Sequence, residues 1–227
     1  MCTNIHHNKF PTRQGFDLHS PQPGEIWEVS RCVQSPVEFS LAQQQLYSEA
    51  AMRFLNGESP PRYAIVVNEP DPLTVVSVMV MSAETNFLSD VNLLIPKEVS
   101  GVEQDLLALT WHVLPMLTCN LLLPVGVRLS REVYDALMNV GDYHLGLIDE
   151  APSPQEIQAL GLAIGANLTS TPEIQAFHRQ EEAWSDVLSI PLAAYQTYLK
   201  GMKLTDAILN EAIQVEQDFD RETGSFM

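Results

Sequence analysis

The chain has 227 residues, 45% hydrophobic and 18% charged, which is enough apolar material for one large domain or one domain with an extension. Its net charge of −17, from 12 Lys and Arg against 29 Asp and Glu, argues against general nucleic-acid binding, which depends on cationic contacts. Cys2, Cys32 and Cys119 are odd in number and far apart, and no signal peptide or membrane-spanning run is evident. We therefore expect a soluble, reduced, cytoplasmic protein with no membrane contact.

The first predicted elements follow a polar leader, residues 1–23. Residues 24–32, GEIWEVSRC, alternate apolar and polar side chains after a Pro-Gly turn, which predicts a strand. Trp27 in this strand either packs on the end of the fold, the interpretation we favour, or caps a binding groove. Residues 40–56 carry apolar side chains at helical spacing, with Ser40 as the predicted N-cap, and so predict a helix.

Three apolar runs rich in Val, Ile or Leu form the centre of the chain, and Pro, Asn, Asp or Ser bounds each of them. This pattern predicts consecutive buried strands joined by tight connections. The runs are 63–67, 75–81 and 91–95. Residues 100–109 predict a turn followed by a short helix, and residues 110–117 predict a fifth strand in which Pro115 marks an edge or a bulge.

From residue 129 onward, helical patterns dominate the sequence. Ser130 is the predicted N-cap of a helix over 129–139, and a Ser-Pro-x-Glu start at Ser153 predicts the next helix. The later predicted helices are 153–162, 171–187, 190–200 and 205–219. The chain thus divides by prediction into a flexible leader (1–23), a mixed domain (24–148) and an all-helical extension (149–227).

The usual motifs of catalysis and cofactor binding are missing from the sequence, among them glycine-rich phosphate loops, nucleophile elbows and metalloprotease helices. His112, between two apolar residues, could act as a general base, but such a histidine more often faces solvent from the polar side of a strand. His178 and Glu182 lie four positions apart on one predicted helix and are interpreted as a surface pair rather than metal ligands. The sequence therefore predicts neither a metal nor a cofactor.

The order of elements between residues 24 and 140 follows a recognisable pattern. GEIWEV opens it, RYAIVV and the Ser/Thr-ending VSVMVMSAET follow, and a Ser-Gly turn, a further strand and the helix LSREVYDAL close it. This pattern resembles the PemK/MazF-like family. The resemblance implies an α+β fold, in which a small SH3-like antiparallel β-barrel with inserted and terminal helices precedes the helical extension. It also implies a homodimer, because the family's toxins pair through the barrel.

The resemblance also implies candidate site residues. The family's best-known members are toxins that cut RNA without a metal, and the matching residues here are Arg62, with Ser82 or Thr85 as the hydroxyl. An arginine would stabilise charge on the transferring phosphoryl group, and the hydroxyl would orient that group for attack by a ribose 2′-hydroxyl. Tyr63 replaces the proline that the family carries after this arginine, and the predicted helix 40–56 replaces a basic loop that binds RNA.

Two functional hypotheses follow from these features. The acidity, the inserted helix and the missing catalytic motifs favour a non-catalytic interaction or regulatory protein that binds a protein partner, with a basic partner favoured by charge. The alternative is a metal-independent endoribonuclease of the PemK/MazF toxin type that uses Arg62 with Ser82 or Thr85. RNA is a partner only under this alternative.

Overall fold

One six-stranded antiparallel sheet organises the computed structural model, which describes residues 20–37 and 45–202. The strand order is β4-β5-β3-β2-β1-β6, and every neighbouring pair is antiparallel. The strands are β1 (Ile26–Val29), β2 (Tyr63–Val66), β3 (Val75–Ser82), β4 (Asn92–Ile95), β5 (Leu106–Leu117) and β6 (Leu121–Val125). The predicted leader, residues 1–23, lies mostly outside the described residues.

The sheet is open, with β4 and β6 as its two edges. The mixed α+β class and the antiparallel pairing are confirmed, whereas a closed SH3-like barrel is not, because no pairing joins β4 to β6 within the described residues. The ladder between β3 and β5 shifts register between Met79 and Met81. Such a bulge strengthens the local twist and lets the long β5 pair with β3 and β4.

Six α-helices lie in the part of the chain that the structure describes. They are α1 (Glu49–Leu55), α2 (Lys97–Ser100), α3 (Arg131–His144), α4 (Pro154–Ala159), α5 (Pro172–Trp184) and α6 (Asp186–Gly201). Ser130 caps α3 as predicted, with its hydroxyl accepting from the backbone N–H of Val133. None of the helices in these described stretches is long and apolar enough to cross a membrane.

Apolar side chains of the central strands are buried on both sides of the sheet, because helices cover both sides. Val76, Val78 and Val80 point to one side, which we call the first face, and α1, α5 and α6 cover it. Met79 and Met81 point to the second face, which α3 and α4 cover. Burial on both faces explains why these strands read as continuous apolar runs rather than as alternating ones.

The C-terminal helices belong to the same hydrophobic core as the strands. Phe177 and Trp184 of α5 and Val187 and Leu188 of α6 pack in one cluster with the first-face residues of the sheet. An isolated bridge also joins Leu94 of β4 to residue 163, beyond α4. The division into domains at 148/149 stays a prediction, and the helices beyond it supply one layer of the core.

Several predicted element boundaries are wrong. The short helix predicted within 100–109 lies earlier, at α2, because Gly101 adopts a left-handed conformation with φ of 67° and ends that helix. Residues from Leu106 onward extend β5 and pair with β4. The sequence did not predict β6, which carries Pro124, a residue tolerated in an edge strand.

Two predicted helices extend outside the described residues. Helix α1 begins at Glu49 with Ser48 as its N-cap, and the predicted cap at Ser40 lies outside the described residues. The helix predicted over 205–219 also lies outside them.

Candidate functional site

Arg62 and Ser82 lie side by side on the first face of the sheet. Arg62 directly precedes β2, and its backbone oxygen accepts a hydrogen bond from the N–H of Val29 at 2.9 Å, which holds it to β1. Arg62 and Ala64 share a face through the two-residue period of the strand, as do Val80 and Ser82 on β3. The guanidinium Nη1 lies 3.3 Å from the Ser82 hydroxyl, so the sheet brings together the first two predicted site residues.

Helix α5 covers this pair with an ionised group of its own. Glu181 is 0% exposed, and both of its carboxylate oxygens lie 2.7 Å from Nη1 of Arg62, which is 5% exposed. The Trp184 ring lies 5.1 Å from the guanidinium carbon, within the range of a cation–π contact. In this conformation the guanidinium contacts Glu181 and Trp184 and is shielded from solvent, so a phosphate cannot reach it.

Burial and charge act against each other at Glu181. The pKa of the Glu181 carboxyl is raised, because burial outweighs the nearby Arg62 charge and the hydrogen bonds from Arg62 and Ser82, which lower it. Nε of Arg62 and Nε1 of Trp184 are buried without a hydrogen-bond partner among the described groups. The arrangement therefore holds a positive and a negative charge together in the core, where separating them is costly.

Thr85, the alternative hydroxyl, is not part of this arrangement. It begins a 3₁₀ turn over Thr85–Phe87, and the described hydrogen bonds of Arg62 go to Ser82 and Glu181. The Phe87 ring stacks on Phe177 of α5, with 4.4 Å between ring centroids. This stacking fastens the 3₁₀ turn to the same helix that carries Glu181.

A second buried polar cluster, the Asn92 cluster, comprises Asn92, Trp111, His112 and His178. The Asn92 Oδ1 accepts from Trp111 Nε1 at 2.9 Å and lies 3.2 Å from His178 Nε2. We therefore assign the proton to Nε2 of His178, because Oδ1 can only accept. The Trp111 ring stacks on both imidazoles, with centroid distances of 4.7 Å to His112 and 4.0 Å to His178.

The two imidazoles of the Asn92 cluster are neutral at neutral pH. Burial, helped by the charge of the other histidine, lowers the pKa of His112 to about 4. Burial and the nearby His144 lower the pKa of His178 to about 4, against an opposing effect of Asp90. A base with so low a pKa accepts protons weakly at neutral pH, which disfavours the general-base role considered for His112.

The structure tests two predicted side-chain environments, and one of them is wrong. His178 is 9% exposed and is hydrogen-bonded within the core, so its interpretation as half of a surface pair with Glu182 is wrong. Trp27 is buried in the first-face core, and its Nε1 donates to the Glu25 carboxylate at 3.1 Å, which confirms the packing interpretation.

Sequence analysis finds Glu181 only beside Glu182 and His178 and does not link it to its partner, Arg62. Its one signal was a carboxylate inside the apolar stripe of a helix, between Phe177 and Trp184 at spacings of four and three. A charged residue on a buried helix face needs a partner of opposite charge, and that requirement could have identified it.

A search with protein-family models finds no match to this chain, and a search of curated proteins finds none. Membership of the PemK/MazF-like family therefore stays a prediction, and function must be argued from the geometry of the chain.

Proposed function

We propose that this chain is a non-catalytic interaction or regulatory protein that binds a protein partner. One observation carries the proposal: the guanidinium of Arg62 is buried and neutralised by Glu181 at 2.7 Å. An arginine that stabilises phosphoryl transfer must meet the substrate with its charge available, whereas this charge is already compensated inside the core. The excess of acidic side chains favours a partner with a basic surface.

The family assignment is part of this proposal. The strand order along the chain, the Arg62–Ser82 contact and the bulge in β3 support a PemK/MazF-like origin, with the open sheet derived from an SH3-like barrel. Leu122 and Leu123 are exposed on the edge strand β6, which supports the homodimer that the resemblance implies. We also place the protein in the cytoplasm, on the basis of its few, widely spaced cysteines.

Affinity capture with chemical cross-linking tests the interaction function. The full chain, immobilised and mixed with lysate of its own source, should retain a defined protein that cross-links to it. An unrelated folded protein of similar negative charge serves as the control, because it should retain only proteins bound by charge alone. If the two baits retain the same proteins, the proposed function is wrong.

A second candidate function is a metal-independent endoribonuclease, and the 3.3 Å contact between Arg62 and Ser82 favours it. Incubation of long single-stranded RNA with the wild type and with Arg62→Ala and Ser82→Ala tests this candidate. Arg53→Ala, at an exposed arginine of α1, is the matched control. We expect no cleavage by any of the four proteins. Cleavage by the wild type and Arg53→Ala that both site variants lose would establish the nuclease and overturn our first proposal.

A further inference from the structure

A groove of about 570 Å³ lies between α3 and α4. One wall is the exposed side of α3, and the other is formed by residues 148–153 and α4. Its volume falls in the range of sites that bind ligands or a few side chains of a partner. The groove is distant in sequence from Arg62 and belongs to the helices of the second face.

The floor of the groove is apolar. Ile157 is 1% exposed and belongs to the second-face core, in which it packs with Leu137 of α3. Ala136 and Leu160 pack against the same cluster and are half-buried, and Ile148 is also half-buried beside the groove. Ala136, Ile148 and Leu160 therefore present a preformed apolar surface beside the buried Ile157, on which another apolar group can be buried.

The rim of the groove carries four carboxylates, Glu132, Asp135, Glu150 and Glu156, and no Lys, Arg or His lines it among the described residues. The pKa of Glu132 is lowered, chiefly by a hydrogen bond from its own backbone N–H and also by the Ser130 hydroxyl, so it stays ionised. Negative charges gathered around one concave site repel each other and attract cations, since a cleft concentrates the field of its walls.

Arg131, a cation near the rim, compensates little of this negative charge. Arg131 of α3 lies 3.4 Å from Asp135, but both side chains are largely exposed. An exposed pair of this kind contributes little free energy. Asp135 can therefore exchange this partner for an incoming cationic group, and Glu150 and Glu156 are also available to one.

We propose that this groove docks a basic amphipathic segment of the partner protein, with apolar side chains on Ala136, Ile148 and Leu160 and Lys or Arg against the carboxylate rim. The inference rests on the proposed function and names the chemistry of the partner. Charge complementarity selects this occupant, because nucleic acid and acidic segments are repelled by the rim. The apolar floor distinguishes it from a small polycation, which would gain nothing from Ile148 or Leu160.

Binding of a synthetic peptide to the full chain tests the inference. The probe is a fluorescent amphipathic peptide of Lys and Leu, about 15 residues long, a length at which isolated helices begin to form. Fluorescence anisotropy at physiological salt gives the dissociation constant for the wild type and for a groove variant, Asp135→Asn/Glu150→Gln/Glu156→Gln. The control variant, Glu58→Gln/Glu69→Gln/Glu103→Gln, changes the net charge equally at exposed residues elsewhere.

We expect the groove variant to weaken peptide binding about tenfold, since three ion pairs of modest strength are lost together, and the control variant to weaken it about twofold or less. Ile148→Ser should also weaken peptide binding, and spermidine at equal charge concentration should compete poorly. Equal weakening by both charge variants, no binding, or full competition by spermidine would each overturn the groove assignment.

The same variants separate this inference from the function on which it rests. A partner captured equally by the wild type and the groove variant would leave the interaction function standing and contradict the groove. A peptide that binds the groove while the chain captures no specific protein would contradict the function but not the chemistry of the site.

Discussion

The ion pair between Arg62 and Glu181 predicts a large and asymmetric response to mutation. Glu181→Ala removes the carboxylate that lies 2.7 Å from Nη1 of Arg62 and leaves a guanidinium that is 5% exposed. An uncompensated buried charge of this kind lowers the free energy of unfolding by about 3–5 kcal/mol. Arg62→Met combined with Glu181→Leu removes both charges, so we expect the double variant to be close to the wild type or about 1–4 kcal/mol more stable.

Urea denaturation at neutral pH, followed by tryptophan fluorescence and extrapolated to water, measures these free energies. Glu182→Ala is the matched control, because Glu182 is the next residue of α5 and is exposed, and it should change stability by about 0.5 kcal/mol or less. If Glu181→Ala costs no more than Glu182→Ala, α5 does not cover Arg62 in solution, and the main observation behind the proposed function is lost.

Three further predictions concern other parts of the structure. Burial lowers the pKa of His112 and His178 from 6.5 to about 4, so the unfolded chain binds more protons between these values. In urea denaturation the free energy of unfolding should therefore decrease as the pH is lowered from 6.5 toward 4. The decrease should reach about 2 kcal/mol per histidine near pH 5. A Cβ at Gly126, where φ is 65°, would overlap the backbone oxygen of Ser100, so Gly126→Ala should cost about 2–4 kcal/mol in thermal unfolding. Phe54 is fully buried against Trp184, and Phe54→Ala should cost about 3–5 kcal/mol in urea.

Each of these predictions has a control in the chain. A variant with His112→Asn and His178→Gln should lose most of the pH dependence in that window, and an unchanged pH profile would contradict the assignment. Gly57 has a φ of 80° but open space around it, so Gly57→Ala should cost only about 1 kcal/mol. Leu46 is 66% exposed, and Leu46→Ala should be nearly neutral. Equal losses at Gly126 and Gly57 would show that overlap with Ser100 does not set the cost. Equal losses at Phe54 and Leu46 would show that burial does not set it.

The strands could be predicted from the sequence where turn-forming residues bound their apolar runs. The runs at β2, β3 and β4 lie between Pro, Asn, Asp or Ser, and their positions are confirmed. The sequence predicts a helix at Leu106–Leu109, because a short apolar run fits a buried strand and a buried helix equally well. Pairing with β3 and β4, which the sequence does not encode locally, decides between these two structures.

The residues that the sheet contributes to the candidate site could be predicted from the sequence, and the residue that α5 contributes could not. Arg62 and Ser82 come together because consecutive antiparallel strands place them on one face. Glu181 lies 119 positions from Arg62, and nothing in local spacing links the two residues. Asn92 and His178 lie 86 positions apart, and their contact was likewise not predictable from local spacing. Contacts of this kind depend on how the helices dock on the sheet.

The docking of α5 and α6 on the first face also has a consequence for synthesis of the chain. The Ser48 hydroxyl, at the start of α1, donates to the backbone oxygen of Ala183, which emerges from the ribosome 135 residues later. At about 5–20 residues per second, the interval between completion of β6 and completion of α5 lasts roughly 3–12 seconds. Throughout that interval Val76, Val78 and Val80 lack two of their covering helices. We expect nascent chains that end before α5 to expose this apolar face and to bind chaperones.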